Sequence, residues 1–199
     1  MEKPRDSMRI LGVDPGSRFV GFGMIAMQGR TYHCLDCGII CATHLKRLDE
    51  KLLHIFEAIQ ALVCKHKPDA VAMEGMFGEP QKFHAALLLG QARGAALLAV
   101  ALERVPVFEY APARIKKAVG AGGQASKAAV KRMVQTLLQL PEQRMRVDAY
   151  DGLAIALCHA HAVSGLGHSA LSTLKGPTSS FSSFAERLKK SYVAPKEAK

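Results

Sequence analysis

One short stretch of this chain, DAVAMEG over Asp69–Gly75, restricts its fold more than any other feature. Apolar residues follow one another there without the alternation that a strand with one solvated face shows. A near-continuous apolar run of this length is typical of a central strand that is covered on both faces. The chain is therefore expected to contain a sheet with helices on both sides.

The segments before this strand predict three further strands and a helix. Three runs rich in apolar residues, MRILGVD, FVGFGMIAMQ and TYHCLDCGIIC, follow one another with short turns between them. The second turn is expected at Gln28–Arg30, and three successive antiparallel strands are the simplest arrangement. Residues 45–63 then carry apolar side chains at helical spacing, so a helix is expected to end before Pro68.

The segments after the central strand predict one more strand and four helices. A long helix rich in small residues is expected from about Gln81 to Glu103, and VPVFEY is the next strand. Two helices follow, separated by a glycine-rich turn around Gly120–Gly123, and a last apolar helix covers Val147–Val163. This order predicts an α/β fold, in which a mixed sheet of five strands is flanked by helices.

Composition and charge narrow the class of protein. With 199 residues the chain is long enough for one well-buried domain, and a hydrophobic content of 49% excludes a disordered chain. The formal charge of +10 indicates a polyanionic partner, nucleic acid before membrane, since no basic amphipathic anchor is visible. The alternative explanation of that charge is a generally basic, soluble enzyme.

One folded domain is expected over residues 8–164, between a short disordered lead-in, residues 1–7, and a basic disordered tail, residues 165–199. The lead-in lacks the apolar core of a signal peptide, so a cytoplasmic protein is expected. Polar residues and glycines interrupt the most apolar segment, Ala85–Leu102, which favours a core or interface helix over a membrane span. The tail either contacts nucleic acid electrostatically or serves solubility alone.

The five cysteines favour reduced thiols over disulfide bridges, because their number is odd and no secretory signal precedes them. Cys34 and Cys37 match the spacing Cys-x-x-Cys, but they lie in a predicted strand, where residues three apart face opposite ways. No second cysteine pair follows at zinc spacing. The sequence therefore does not predict a metal site at this pair.

Four acids stand at the ends of predicted elements. Asp14 and Glu74 end two strands. Asp148 and Asp151 begin the last helix, where positions three apart share one face. Functional sites in α/β sheets gather at the carboxyl ends of strands, so the four carboxylates are expected to meet in one pocket. Such a cluster is unstable by itself but suits two Mg²⁺ ions, which could activate water and stabilise the leaving oxygen of a phosphodiester.

Two of these acids also have a simpler structural explanation. Asp148 could be a first-turn acid that the helix dipole favours, and Asp14 could be a turn former. Asp151 and Glu74 fit such roles less well, because apolar residues surround both in the sequence. The four acids together favour the metal site.

The same segments carry a resemblance to a known family. Over roughly Arg9–Val163 the sequence resembles RuvC, a family of Holliday-junction resolvases among the ribonuclease H-like nucleases. The matching motifs, in the family's order, are ILGVDPGSRFVGFGMI, AMEGMF, LLLGQARGAALLA, VPVFEYAPARIKKAVGAGGQASKAAVKRMV and DAYDGLAIALCHAH. The resemblance implies a ribonuclease H-like sheet. It also implies that four residues are the catalytic metal ligands: Asp14, Glu74, Asp148 and Asp151.

The resemblance further implies three residues that contact DNA. Phe77 falls where the family places an aromatic ring that stacks on an unpaired junction base, a contact worth about 1–3 kcal/mol. Lys116 and Lys127 match family lysines near the cleaved phosphate. From the residues alone, Phe77 could instead be a core residue that caps the strand. The two lysines, which flank a glycine-rich turn, could equally be a solvated face.

The expected function is that of a homodimeric endonuclease, with two Mg²⁺ ions per subunit, that cuts four-way DNA junctions by paired, symmetric nicks. The resemblance implies the dimer and a partnership with the RuvA and RuvB branch-migration proteins, whereas the metal chemistry also follows from the acids. Two alternatives stay open. One is a non-catalytic, structure-specific DNA-binding protein. The other is an actin-like ATPase, because GVDPGS resembles the phosphate loop of such enzymes, although the sequence lacks their second acid-glycine loop.

Overall fold

The computed structural model describes residues 7–75, 83–141 and 146–164. The lead-in up to residue 6, the tail from residue 165 and Phe77 lie outside the described residues, so what the sequence predicts for them stays a prediction. The described residues form one sheet with helices packed on both of its faces.

Five strands form a mixed sheet in the order β3-β2-β1-β4-β5. They are β1 (Met8–Asp14), β2 (Phe19–Gln28), β3 (Thr31–Cys41), β4 (Ala70–Glu74) and β5 (Val107–Tyr110). The first three strands pair antiparallel, whereas β4 runs parallel to both β1 and β5. The predicted five-stranded mixed sheet is therefore confirmed, and β4 is an inner strand, buried from Ala70 to Met73.

Five helices cover the sheet: α1 (Leu48–His66), α2 (Phe83–Leu102), α3 (Pro112–Ala118), α4 (Lys127–Leu138) and α5 (Val147–Ser164). Helices α1 and α2 pack on one face, around strand residues such as Leu11 and Val71. Helices α3, α4 and α5 pack on the other face, around Ile10 and Ala72. Successive residues of β4 thus enter opposite cores, which explains why this strand is apolar throughout.

Helix α5 lies directly against the backbone of β1 and β2, because glycines remove the side chains that would hold it away. A Cβ atom at Gly21 would overlap the carbonyl oxygen of Asp148, and one at Gly12 would overlap the carbonyl oxygen of Gly152. Gly152 is itself confined, since a Cβ atom there would lie 2.5 Å from the carbonyl carbon of Phe22. The close approach sets the first turns of α5 against the end of β1.

Strand β3 contains a β-bulge that the sequence did not reveal. Met24 of β2 lies opposite Asp36 of β3. The next residue of β2, Ile25, lies opposite Cys34, so the residue between Cys34 and Asp36 has no partner in the ladder. The bulge turns Cys34 to the face that carries Cys37, and both pack against the core beneath α5. The expectation that these cysteines face opposite ways is therefore wrong, because it assumed a regular strand.

Among the described residues, α2 is the one helix long and apolar enough to cross a membrane, judged by length and composition alone. It packs against α1 and buries Ala92, Ala96 and Ala99 in the core of the chain. Its other side is open, since the side chains of Phe83 and Leu98 are 80% and 54% exposed. Helix α2 therefore combines a face that packs within the chain with an exposed apolar face.

Candidate active site

Three elements end or begin at one edge of the sheet. Strands β1 and β4 are parallel neighbours, so their last residues, Asp14 and Glu74, lie at the same edge. Gly21 pairs with Asp14 across the β1–β2 ladder, and the backbone of Asp148 lies directly over Gly21. Strand pairing and the glycine contact together bring the first turn of α5 to the ends of both strands.

Three of the four predicted acids meet at this edge. One carboxylate oxygen from each of Asp14, Asp148 and Asp151 lies within 4.8 Å of the other two, and all three residues are partly buried. Glu74, also partly buried, is close enough for its carboxylate to interact with those of Asp14 and Asp151. The structure thus brings the four acids into one neighbourhood, with three of them in reach of a single ion.

The acids oppose one another's ionisation. Burial, and then the charges of Glu74 and Asp151, raise the pKa of Asp14 to about 7. Burial, followed by the charge of Asp151, also raises the pKa of Glu74 above its ordinary value. Without a cation Asp14 therefore retains its proton up to about neutral pH, and a bound divalent cation would favour the release of that proton.

Lys127, one of the two predicted lysines, lies beside this cluster. Its Nζ donates a hydrogen bond to Oδ2 of Asp151 at 2.7 Å, and this bond raises the pKa of Lys127. Lys127 is the first residue of α4, which Ser126 caps by accepting a hydrogen bond from the backbone N–H of Ala129 at 3.3 Å. The start of a capped helix thus presents a positive charge to the acids.

Two further basic residues border the cluster. Lys116, the other predicted lysine, lies in the last turn of α3. Burial raises the pKa of Glu74, and the charges of Lys127 and Lys116 act to lower it, so Lys116 is within electrostatic range of Glu74. Sequence reasoning missed Arg146, whose Nε lies 3.6 Å from Oδ2 of Asp148. The guanidinium carbon of Arg146 is 3.9 Å from the centroid of the Phe19 ring. The sequence feature that could have indicated Arg146 is its position two residues before Asp148.

The donor set of the cluster fits a hard divalent cation. All four side chains offer carboxylate oxygens, the ligands that Mg²⁺ and Ca²⁺ prefer. Asp148 and Asp151 are three residues apart in α5, so they lie on one side of the helix, next to Asp14. Within the described part of the chain, no other group of three or more His, Cys, Asp and Glu side chains converges in this way. The arrangement could hold a divalent cation.

Comparison with known sequences places the chain in a family. The family model described as crossover junction endodeoxyribonuclease RuvC matches residues 10–159. A protein of that name from Myxococcus xanthus is 45% identical over 190 residues, which cover 94% of this chain and 98% of the relative. Another, from a Geobacter species, is 43% identical over 169 residues, which cover 85% of this chain and 99% of the relative.

Solved structures agree with the sequence comparison. The Thermus thermophilus RuvC in complex with a Holliday junction substrate is similar with a TM-score of 0.72 and 29% identity, over 80% of this chain and 97% of that chain. The yeast mitochondrial Holliday junction resolvase Ydc2, with a TM-score of 0.56 and 13% identity, shares the fold. The predicted ribonuclease H-like fold is confirmed by these matches. The chain belongs to the RuvC family of crossover junction endodeoxyribonucleases.

Proposed function

We propose that this chain is an endonuclease, with two Mg²⁺ ions per subunit, that resolves four-way DNA junctions by paired, symmetric nicks. The observation that carries the proposal is the convergence of Asp14, Asp148 and Asp151 within 4.8 Å at the edge of the sheet, beside Glu74. The choice of substrate is supported by family membership and by the similar Thermus thermophilus RuvC, which is solved in complex with a Holliday junction substrate.

The acids of the cluster would hold the metal: Asp14, Glu74, Asp148 and Asp151. When bound, divalent ions at such a site activate a water molecule and stabilise the leaving oxygen of a phosphodiester. Two strand ends and one helix hold the carboxylates in place, so little rearrangement is needed for binding. In-line attack at phosphorus would leave a 5′-phosphate and a 3′-hydroxyl, ends that a ligase can seal.

The charge of the cluster supports two ions in each subunit. Four ionised carboxylates carry four negative charges, and one divalent ion would leave two of them to Lys127 and Arg146, residues that the proposal assigns to DNA phosphates. Incompletely compensated charges are costly in partly buried positions, and the raised pKa of Asp14, caused first by burial and then by Glu74, reflects that cost. A second Mg²⁺ would complete the charge balance.

We assign DNA contacts to basic residues around the acids and to one aromatic residue. Lys116, Lys127 and Arg146 border the cluster and would hold phosphates near the cut. Phe77, three residues after Glu74 in the sequence, would stack on an unpaired base of the junction. The net charge of +10 adds an attraction that does not depend on DNA sequence.

The exposed side of α2 is the surface we assign to a homodimer. Symmetric nicks require two active sites, which a twofold dimer supplies. Leu87 and Leu98 are 48% and 54% exposed there. A Cβ atom at Gly90 or Gly94 would meet nothing within 4 Å, so a second helix could approach this surface closely. A contiguous apolar patch that is exposed to solvent is typical of a protein–protein interaction site.

The location and the protein partners follow from the proposed action on four-way junctions. A junction resolvase acts on chromosomal DNA, so the cytoplasm is the proposed location and the RuvA and RuvB branch-migration proteins are the proposed partners. The presence of all four acids, with three of them converging, argues against a non-catalytic DNA-binding protein. Family membership argues against an actin-like ATPase.

A synthetic four-way junction tests the proposed function. With Mg²⁺, the wild-type protein is expected to nick two opposing strands at matched positions, and EDTA is expected to abolish the nicks. Asp14→Asn should bind the junction with similar affinity yet fail to cut it. Asp49→Asn is the matched control, because it changes an exposed acid of α1 that pairs with Arg47, and it should cut as wild type does.

The result that would contradict the metal site is cutting by Asp14→Asn at the wild-type rate. Wild-type protein that binds the junction but never cuts it in Mg²⁺ would instead favour the non-catalytic alternative.

A further inference from the structure

The proposed nuclease chemistry leaves one reactive pair of side chains unused. The bulge of β3 turns Cys34 and Cys37 to the same face of the sheet, where the two thiols are hydrogen-bonded to each other. Both are partly buried, and they lie on the edge strand, two strands away from Asp14. The pair is therefore accessible and separate from the acid cluster.

The register of the ladder shows that a bridge between the two cysteines is within reach. Cys34 lies opposite Ile25 and Cys37 lies opposite Gly23, which are two residues apart on β2. At about 3.4 Å per residue, these two partners are separated by about 6.8 Å. The hydrogen bond between the two thiols shows that the sulfur atoms themselves lie close together. Disulfides span up to about 6.8 Å between Cα atoms, and those at the edge of the allowed geometry are readily reduced. A bridge here would be reversible.

The two thiols differ in their readiness to ionise. The hydrogen bond with Cys37 and burial together raise the pKa of the Cys34 thiol. The Cys34 thiol also donates a hydrogen bond to the backbone carbonyl of Asp36, at 3.8 Å. The hydrogen bond between the two thiols lowers the pKa of the Cys37 thiol, against the opposing effects of burial and of Asp36. Because the thiolate is the nucleophile in thiol chemistry, Cys37 is the sulfur that attacks and Cys34 is the sulfur that follows.

We propose that Cys34 and Cys37 form a reversible exchange site for low-molecular-weight disulfides. The Cys37 thiolate attacks one sulfur of the disulfide, the S–S bond breaks, and one small thiolate leaves. The Cys34 thiol gives its proton to that thiolate, attacks the Cys37 sulfur and expels the second small thiolate. The protein loses two electrons to the small disulfide and gains a Cys34–Cys37 bridge, and excess thiol reverses both steps.

Oxidised glutathione is the probe for this site. The full chain is used with Cys41→Ser and Cys64→Ser, so that these two cysteines cannot react, while Cys158 is buried. After reaction under native conditions, mass spectrometry is expected to find the peptide that contains Cys34 and Cys37 lighter by two hydrogens, with no glutathione attached. Dithiothreitol should restore the original mass.

Single variants separate the two roles. Cys34→Ser should retain one glutathione on Cys37 as a lasting mixed disulfide, because the second attack is lost. Cys37→Ser should react several-fold more slowly than Cys34→Ser, since the attacking sulfur is lost. Equal rates for the two variants, or a lasting mixed disulfide in the protein that has both cysteines, would overturn the proposal.

The rate of bridge formation in folded and in urea-unfolded protein gives a measurement that needs no further variant. The fold holds the two sulfurs together, so the bridge is expected to form several-fold faster in the folded protein. An equal or slower rate in the folded protein would overturn the proposal.

Discussion

Asp14 keeps its proton up to about neutral pH, because burial and then neighbouring acids raise its pKa to about 7. In an unfolded chain the same group would ionise near 3.8, so the folded protein binds an extra proton between these two values. The stabilising contribution of protonated Asp14 is fully present below the lower value and is lost as the pH rises through the higher one. It amounts to at most about 4 kcal/mol.

We predict that metal-free wild-type protein loses thermal stability relative to Asp14→Asn as the pH rises from about 5 to about 8. Asparagine has nearly the same shape and does not ionise, so the difference between the two melting temperatures reports the ionisation of Asp14 together with its coupling to the neighbouring acids. Desolvation lowers the pKa of the buried His159 to about 4, which affects both proteins alike. Calorimetry in EDTA measures the difference, and one that stays constant with pH would contradict the prediction.

Lys127 supplies the positive charge that the acids lack in the metal-free protein, since its ammonium group lies 2.7 Å from Asp151. A bound cation must compete with this ammonium group. We predict that Lys127→Met binds Mn²⁺ about tenfold more tightly, the equivalent of about 1.4 kcal/mol, because the competing charge is gone. The same variant should cut junctions more slowly, because it loses a phosphate contact.

Titration calorimetry measures the Mn²⁺ affinity. Lys131→Met is the control, since Lys131 lies one turn further along α4, where its Nζ is 5.1 Å from the centroid of the Tyr150 ring. Weaker Mn²⁺ binding by Lys127→Met than by this control would contradict the competition.

The residues of the site differ in how visible they are in the sequence. Asp14 and Glu74 could be predicted because each is the last residue of an apolar strand, and such a pattern is visible in the linear sequence. The contact of Lys127 with Asp151 could not, because it depends on how α4 and α5 lie against one another. Side chains of opposite charge are common in any basic sequence, and their pairing appears only after folding.

At the scale of elements, the position of α5 depends on the glycines beneath it. Gly21→Ala would place a methyl group against the backbone of Asp148, so the start of the helix must move. We predict a loss of about 1–3 kcal/mol in the free energy of unfolding, and a larger relative loss of Mn²⁺ affinity because the acids shift. Urea denaturation and titration calorimetry measure the two effects.

Gly90→Ala is the matched control for the strand glycine. A Cβ atom at Gly90 meets nothing within 4 Å, and alanine is favoured over glycine by about 0.5–1 kcal/mol inside a helix. Because Gly90 lies on the proposed dimer surface, both glycine variants are compared in protein that also carries Leu98→Glu, in which this surface is unpaired. In that background the control should be at least as stable as its parent. Equal stability and equal Mn²⁺ affinity in Gly21→Ala and Gly90→Ala would contradict the dependence on close packing.

The sequence predicted the elements better than it predicted their contacts. Apolar periodicity located the strands and helices, because burial of one or both faces determines which positions are apolar. The bulge in β3 escaped prediction, since nothing in TYHCLDCGIIC distinguishes a regular strand from one with an extra residue. The close packing of α5 on Gly12 and Gly21 was not predicted either, because a glycine within a strand can also indicate a bulge or a bend.

At the scale of the whole molecule, the exposed side of α2 should determine the number of subunits. We predict that Leu98→Glu, which puts a charge on a side chain that is 54% exposed, yields a monomer that no longer makes paired nicks. Leu35→Glu, at a side chain of β3 that is 45% exposed, is the control and should stay dimeric. Light scattering measures the mass, and a dimeric Leu98→Glu would contradict the assignment of this surface.

Metal binding depends on three features together: the charges of single residues, the packing of α5 and the register of the sheet. Anomalous scattering from crystals soaked in Mn²⁺ locates the ions directly. The account predicts two peaks bound by Asp14, Glu74, Asp148 and Asp151, with the Lys127 ammonium displaced from Asp151. Peaks that avoid these carboxylates, or peaks that persist unchanged in Asp14→Asn crystals, would contradict it.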